Sequence, residues 1–131
     1  MRSDAFRAAA EAKDGAAVKE CLAEDVRFRS PVVFRPYEGR ELVATILAEG
    51  AMRVFEDFRY RHQLEHGDTA TLIFEARVSE RELEGLDLLR FNDDGLVREL
   101  TVMVRPMSGL NALAAAMGER FETLGITPPG G

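Results

Sequence analysis

One carboxylate stands out among the side chains that could carry chemistry. Asp87 lies in the segment 85 to 91, Gly-Leu-Asp-Leu-Leu-Arg-Phe, where successive residues alternate between the two faces of a predicted strand. Asp87 shares its face with Leu89 and Phe91, so a face that lines an apolar interior would also bury this carboxylate. Burial disfavours the charged form. We therefore expect a raised pKa and a group able to donate a hydrogen bond or to act as a general acid or base.

A structural role for Asp87 is the alternative interpretation. The carboxylate would then pair with His62, Arg105 or a backbone amide and hold the strand in place. Arg105 precedes a proline at the end of a predicted strand. It could bind a ligand carboxylate, or it could simply help to terminate the strand.

His62 is the second candidate for proton transfer. It shares the alternation of Phe58, Tyr60 and Leu64, which predicts that it faces the interior, where an imidazole could exchange protons near neutral pH. A core histidine with satisfied hydrogen bonds is the alternative. Tyr60 from the sheet and Tyr37 from a loop could orient a ligand through their hydroxyl groups, although packing explains either residue as well.

Composition and charge exclude several function classes. The 131 residues include 46% hydrophobic and 31% charged residues, with a net charge of −6 and no basic cluster, so nucleic-acid binding is not expected. No apolar stretch predicts a membrane span or a signal peptide. Ligand spacings for a metal and glycine-rich nucleotide motifs do not occur, so no metal and no cofactor are predicted. Cys21, the single cysteine, is interpreted as a buried, unreactive thiol in a reducing cytoplasm rather than as a nucleophile.

The predicted elements run in the order helix, helix, strand, loop, helix, four strands and a last helix. Hydrophobic spacing of three to four residues indicates helices, and alternation indicates strands. They comprise two helices between Asp4 and Leu22, a strand from near Asp25 to Pro31, an apolar loop from Pro31 to Gly39, a helix from Arg40 to Arg53, strands near 58–64, 69–78, 82–91 and 96–105, and a helix around 110–121. The turn Asn92-Asp93-Asp94-Gly95 predicts an antiparallel meander. We expect one domain over residues 1–124 and a disordered tail over 125–131.

This order, together with three segments, resembles the nuclear-transport-factor-2-like superfamily and specifically its SnoaL-like branch. The segments are 22–31 (Leu-Ala-Glu-Asp-Val-Arg-Phe-Arg-Ser-Pro), Gly39 at the start of the third helix, and 85–91 before Asp94-Gly95. The resemblance covers roughly Asp4 to Phe121. It implies an α+β, cystatin-like cone in which a strongly curved, mainly antiparallel sheet packs on N-terminal helices, with an extra C-terminal helix. Such cones enclose a cavity that binds steroids, polyketides or other small hydrophobic molecules.

The strand patterns and the resemblance together give a set of candidate site residues. Asp87 and His62 are the candidates for catalysis. The candidates for contact with a ligand are Phe6, Phe28, Ser30, Tyr60, His62, Phe74, Asp87, Leu89, Val102 and Val104.

This chain lacks residues that two known mechanisms of the superfamily use. Where ketosteroid isomerases have an oxyanion-hole tyrosine and an aspartate base, the resemblance places Phe6 and Ser30, and only Asp87 retains its counterpart. Phe6 cannot donate a hydrogen bond, and a serine hydroxyl without an adjacent base is too weakly basic to abstract a proton from carbon. Epoxide hydrolases have an arginine two residues before the corresponding aspartate, where this chain has Gly85. A cyclase-like reaction would depend on Asp87, with help from His62.

Two hypotheses follow. The first is a cytoplasmic protein that binds a small hydrophobic molecule and, where it is catalytic, uses Asp87 as acid or base. The second is a non-catalytic ligand-binding or dimerisation module in which Asp87 is structural. Exposed aliphatic residues on the other sheet face, among them Ile73, Leu86 and Met103, predict a symmetric homodimer in either case.

Overall fold

A computed structural model describes residues 1–130 as a curved six-stranded sheet with helices against one face. The helices are α1 (Asp4–Glu11), α2 (Gly15–Cys21), α3 (Arg40–Thr45), a π-helical segment (Ile46–Ala51), α4 (Met52–Val54) and α5 (Met107–Leu124). The strands are β1 (Leu22–Arg29), β2 (Tyr37–Glu38), β3 (Glu56–His66), β4 (Thr69–Val78), β5 (Arg81–Phe91) and β6 (Val97–Arg105). The predicted α+β class with N-terminal helices and an extra C-terminal helix is confirmed.

The sheet has the strand order β2-β1-β6-β5-β4-β3. Strands β3 to β6 form the predicted antiparallel meander, and β1 pairs in parallel with β6. Along β4 and β5 buried and half-buried residues alternate strictly, so one face of each strand meets the helices. Leu72 and Leu89 on that face are completely buried, as is Ile46 from the helical layer. This face carries Asp87.

The loop and terminal regions differ in detail from the expectation. Strand β1 begins at Leu22 rather than near Asp25, and the loop from Pro31 to Gly39 contains the short strand β2. Residues 126–130 form neither helix nor strand, and Gly131 lies outside the described residues. The disordered tail over 125–131 stays a prediction.

The helix expected from Arg40 to Arg53 is continuous to Val54, but its middle turn is a π-helix. The wider turn accommodates two contacts from α5. Arg120 Nε donates a hydrogen bond to the carbonyl of Glu49 at 2.8 Å, and Gly50 leaves space for Met117, since a Cβ there would lie 2.7 Å from Cε of Met117. The π turn therefore joins this helix closely to α5.

A bulge in β3 reverses the orientation of the second half of the strand. Tyr60 pairs with Phe74, whereas His62 pairs with Ile73, so β3 contains one extra residue between them. Beyond the bulge the residues that the alternation would place inside lie outside: His62 and Leu64 are exposed. The expectation that His62 faces the interior is therefore wrong, because a one-residue shift moves every following side chain to the other face.

Candidate functional site

A cavity of about 170 Å³ lies between the inner face of the sheet and the helices. Its wall is almost entirely apolar. Phe28 and Phe74 contribute from the sheet, Leu47 and Met52 from the helix that contains the π turn, and Met117 from α5. Each layer of the fold therefore supplies one side of the same space.

Asp87 is the one acidic residue among the residues that line this cavity, and only 7% of its surface is exposed. Asp87 lies on β5, where it pairs with Leu72 of β4. Tyr60 lies on β3, on the other side of β4, where it pairs with Phe74 of β4. The Tyr60 side chain reaches across β4, and its hydroxyl donates a hydrogen bond to Oδ2 of Asp87 at 2.5 Å. The other carboxyl oxygen, Oδ1, makes no hydrogen bond within residues 1–130 and is free to meet a ligand.

Burial sets the charge state of this pair. Loss of hydration raises the pKa of Asp87 to about 7, and the hydrogen bond from Tyr60 opposes this rise because it favours the carboxylate. Burial, followed by the charge and the hydrogen bond of Asp87, raises the pKa of Tyr60 well above its ordinary value of 10. Tyr60 is consequently always a donor, whereas Asp87 changes between acid and carboxylate near neutral pH.

A polar cluster outside the cavity holds the backbone of Tyr60. Glu11 of α1 accepts a hydrogen bond from the Tyr60 amide at 3.3 Å, and Arg7 donates to its carbonyl at 3.4 Å. Arg7 also donates to Gln63, which the bulge turns toward α1. Because these hydrogen bonds fix both the amide and the carbonyl of Tyr60, the backbone holds the phenol in position to bond to Asp87.

Two further hydroxyl groups lie on the cavity wall. The Ser30 hydroxyl oxygen accepts hydrogen bonds from the amides of Val32 and Val33 at 3.2 and 3.1 Å, so it stabilises the start of the loop that follows β1. This use of its lone pairs leaves it a hydrogen-bond donor rather than a base. The hydroxyl of Tyr37 makes no hydrogen bond within the described chain, and burial raises its pKa.

Most of the residues expected to contact a ligand lie on the cavity wall. The seven that do are Phe6, Phe28, Ser30, Tyr60, Phe74, Asp87 and Val102. Leu89 and Val104 share the inner face but do not line the cavity. Leu89 is fully buried beside its strand partners Ala70 and Leu100, and Val104 packs at the Gly85 end of the sheet. His62 lies on the outside.

Neither side chain expected to pair with a structural Asp87 contacts it, and no backbone amide within residues 1–130 donates to its carboxyl group. Arg105 is exposed and pairs with Glu84 at 3.4 Å, and His62 is directed away from the cavity. The contact between Tyr60 and Asp87 was not predicted, because it joins β3 to β5 across β4 and therefore depends on the strand order. The aromatic residues Phe55 and Phe58 on the cavity wall were also missed.

The remaining features agree with a small apolar site. Cys21 is half-buried, and burial raises the pKa of its thiol, which makes it a weak nucleophile near neutral pH. Within residues 1–130, no three His, Cys, Asp or Glu side chains are grouped so that they could hold a metal ion. No helix of the same residues is long and apolar enough to cross a membrane.

The curved sheet and the covering helices define a cystatin-like α+β protein, and its cavity wall carries one buried acid. The chain belongs to the SnoaL-like domain family, whose model matches residues 4–100. A search of the curated proteins gave no match.

Solved structures agree with this assignment. A steroid delta-isomerase from Pseudomonas aeruginosa is 43% identical, with a TM-score of 0.86 over 91% of this chain and 88% of that chain. An uncharacterised bacterial protein with a cystatin-like fold from Silicibacter pomeroyi is 33% identical, with a TM-score of 0.89 over 93% and 86%. A protein with a ketosteroid isomerase-like fold from Catenulispora acidiphila, 16% identical with a TM-score of 0.65 over 89% and 92%, shows the shared fold alone.

Proposed function

We propose that this protein binds a small, uncharged, mainly apolar molecule whose one hydrogen-bonding oxygen meets Asp87. The observation that carries the proposal is a buried carboxyl group with one unused oxygen on a cavity wall that is mainly apolar. Apolar pockets with a few well-placed polar groups are typical of small-molecule sites. A ligand carbonyl would accept a hydrogen bond from protonated Asp87, so binding should weaken as the pH rises through about 7.

The experiment is a titration of a simple cyclic enone, cyclohex-2-enone, by isothermal calorimetry between pH 5.5 and pH 8.5. Wild type should lose affinity over this range, whereas Asp87→Asn should bind with the same affinity throughout, since its amide is a donor at every pH. Asp87→Leu, which has no donor, should bind weakly at every pH. Equal pH profiles for all three proteins would contradict a contact between Asp87 and the ligand.

Acid and base catalysis by Asp87 is the second candidate function. A pKa near the working pH suits a group that both donates and accepts a proton, and the Pseudomonas aeruginosa neighbour carries the name of an isomerase. The resemblance assigns Phe6 and Ser30 to the places of the isomerase tyrosine and second carboxylate, and both residues line the cavity, so this proposal does not include that mechanism. A single-carboxylate reaction is what these residues support.

Hydrogen exchange measures such chemistry without knowledge of the substrate. In heavy water at pH 8, the Asp87 carboxylate would take a proton from C6, the saturated carbon next to the carbonyl of cyclohex-2-enone, and the electron pair of the broken C–H bond would move onto the carbonyl oxygen. The proton on Asp87 would exchange with heavy water, and Asp87 would then return a deuteron to C6 as the electron pair moves back. Incorporation of deuterium above the buffer rate in wild type but not in Asp87→Asn supports catalysis. Equal incorporation in both proteins favours the binding module.

The outer sheet face supports a symmetric homodimer. Ile73, Leu86 and Met103 are in register across β4, β5 and β6, and together they form an apolar row on the face away from the helices. Met103 is 54% exposed. A second copy of the chain would cover this row through a two-fold axis. Sedimentation velocity should give a dimer for wild type and for the control Thr123→Lys on α5, and a monomer for Leu86→Lys; a monomeric wild type contradicts the proposal.

A cytoplasmic location fits the single unpaired cysteine. Cys21 has no cysteine in this chain to pair with, and its half-buried thiol is suited to a reducing compartment. Fractionation of the cells that produce the protein tests the location directly, and recovery outside the cytoplasm would contradict it.

A further inference from the structure

We propose that the cavity selects a molecule with a single ring and excludes fused-ring molecules of the size of a steroid. This inference rests on the proposed function, because it takes Asp87 as the polar anchor of the ligand. It adds the size class of the ligand.

The volume of the cavity carries the first step. An apolar cavity of about 150 Å³ holds one benzene molecule, and pockets for drug-sized ligands measure about 300 to 1,000 Å³. At about 170 Å³, the cavity of this protein has room for one six-membered ring with a short substituent. A fused four-ring skeleton is much larger than the single ring that a cavity of this volume holds.

Aromatic side chains fill the sheet side of the cavity. The ring centroid of Phe58 lies 4.8 Å from that of Phe74 and 4.9 Å from that of Tyr60, and Phe55 lies 5.5 Å from Phe74. The Tyr60 hydroxyl bonds to Asp87, so this packed group of rings begins at the anchor and limits the space for a long rigid ligand on the sheet side.

Gly85 allows this arrangement of rings. A Cβ at position 85 would lie 2.4 Å from Cζ of Phe74 and 2.8 Å from the carbonyl oxygen of Met103. The Phe74 ring therefore lies directly on the backbone of β5, two residues before Asp87. Because backbone and ring are in contact, the ring cannot withdraw further toward the sheet to make room for a larger ligand.

Met117 limits the cavity on the helical side. It extends from α5 to the π-helical segment, where its Cε lies over Gly50, and it belongs to the cavity wall. The polar clamp between Arg120 and the Glu49 carbonyl holds the two helices together next to this contact. Removal of the Met117 side chain should therefore enlarge the cavity without separating the helices.

The experiment compares three enones that share one anchor and differ in size: cyclohex-2-enone, a two-ring octalone and the four-ring androst-4-en-3-one. Affinities are measured by calorimetry at pH 6 for wild type, Met117→Ala and Met107→Ala. The last is a matched control, since Met107 is 76% exposed and does not line the cavity. In wild type and in the control, the one-ring enone should bind at least tenfold more tightly than the octalone, and the steroid should show no saturable binding. In Met117→Ala the octalone should gain at least tenfold.

Each contrary outcome has a separate meaning. Tighter binding of the steroid than of cyclohex-2-enone by wild type overturns the size limit, while an affinity that still depends on Asp87 leaves the proposed function in place. An unchanged affinity for the octalone in folded Met117→Ala overturns the assignment of Met117 as the limiting wall. Failure of all three enones to bind wild type overturns the proposed function together with the inference.

Discussion

Replacement of Asp87 by asparagine should change how the stability of the protein depends on pH. Asparagine has nearly the same shape as aspartic acid but does not titrate. All other titratable groups are common to both proteins. The difference between the two free energies of unfolding therefore isolates the proton on Asp87.

The direction and size follow from burial. The pKa of Asp87 is about 7 in the folded protein, against an ordinary value of 3.8. Between these values the folded state holds a proton that the unfolded chain releases, so the contribution of Asp87 to stability is fully present below pH 3.8 and is lost as the pH rises to about 7. At about 1.4 kcal/mol per pH unit, wild type should lose about 4 kcal/mol relative to Asp87→Asn between pH 4 and pH 8.

Urea denaturation followed by circular dichroism, at half-unit steps from pH 4 to pH 8, gives both free energies of unfolding. The difference between variant and wild type should rise steadily and become constant above about pH 7.5. A difference that varies by less than about 1 kcal/mol over the whole range would show that Asp87 is already ionised in the folded protein at pH 5. The reasoning from burial to a neutral acid would then be refuted.

Three further changes test the surroundings of this acid. Tyr60→Phe removes the hydrogen bond that favours the carboxylate, so the pKa of Asp87 should rise further. In the same urea series, the free energy of unfolding should keep changing with pH above pH 7 and should be about 1 to 2 kcal/mol lower than that of wild type at pH 8. A pH range identical to that of wild type would contradict the contact. Gly85→Ala should destabilise the protein by about 1 to 3 kcal/mol in urea because its methyl group meets Phe74. The matched Gly118→Ala, whose methyl group would meet nothing outside the backbone of its own helix within 4 Å, should stabilise by about 0.5 to 1 kcal/mol. His62→Ala should leave both unfolding and enone affinity unchanged within about 0.5 kcal/mol, since the side chain is exposed; a loss of affinity would restore His62 to the site.

The architecture follows from sequence patterns that are local and strong. Strict alternation along β4 and β5 predicts both strands and places Asp87 on the inner face, as the structure confirms. The turn before Gly95 predicts the hairpin between β5 and β6. The π turn at Ile46–Ala51 was not predicted, because it depends on contacts with Arg120 and Met117, which lie far from it in the sequence.

The site was less predictable because one inserted residue turns His62 outward and because the key contact joins strands that are not neighbours in the sheet. No residue in the sequence of β3 indicates the bulge after Tyr60, and regular alternation would place His62 on the inner face of the sheet. The pairing of Tyr60 with Asp87 further requires the strand order, since the two residues lie on strands that flank β4. The raised pKa of Asp87 needed only the apolar neighbours on its own strand, and this expectation agrees with the structure.

The polar cluster that holds Tyr60 has a consequence for how the protein could diverge. Arg7 and Glu11 fix the Tyr60 backbone from the solvent side of α1, while the phenol on the same residue adjusts the proton affinity of Asp87. A surface substitution on α1 could thus retune the acidity of the buried group while every side chain that faces a ligand stays the same. Selection could then change two properties separately. Surface residues of α1 would set the pKa of Asp87, and the side chains of the cavity wall would set which ligand shapes fit.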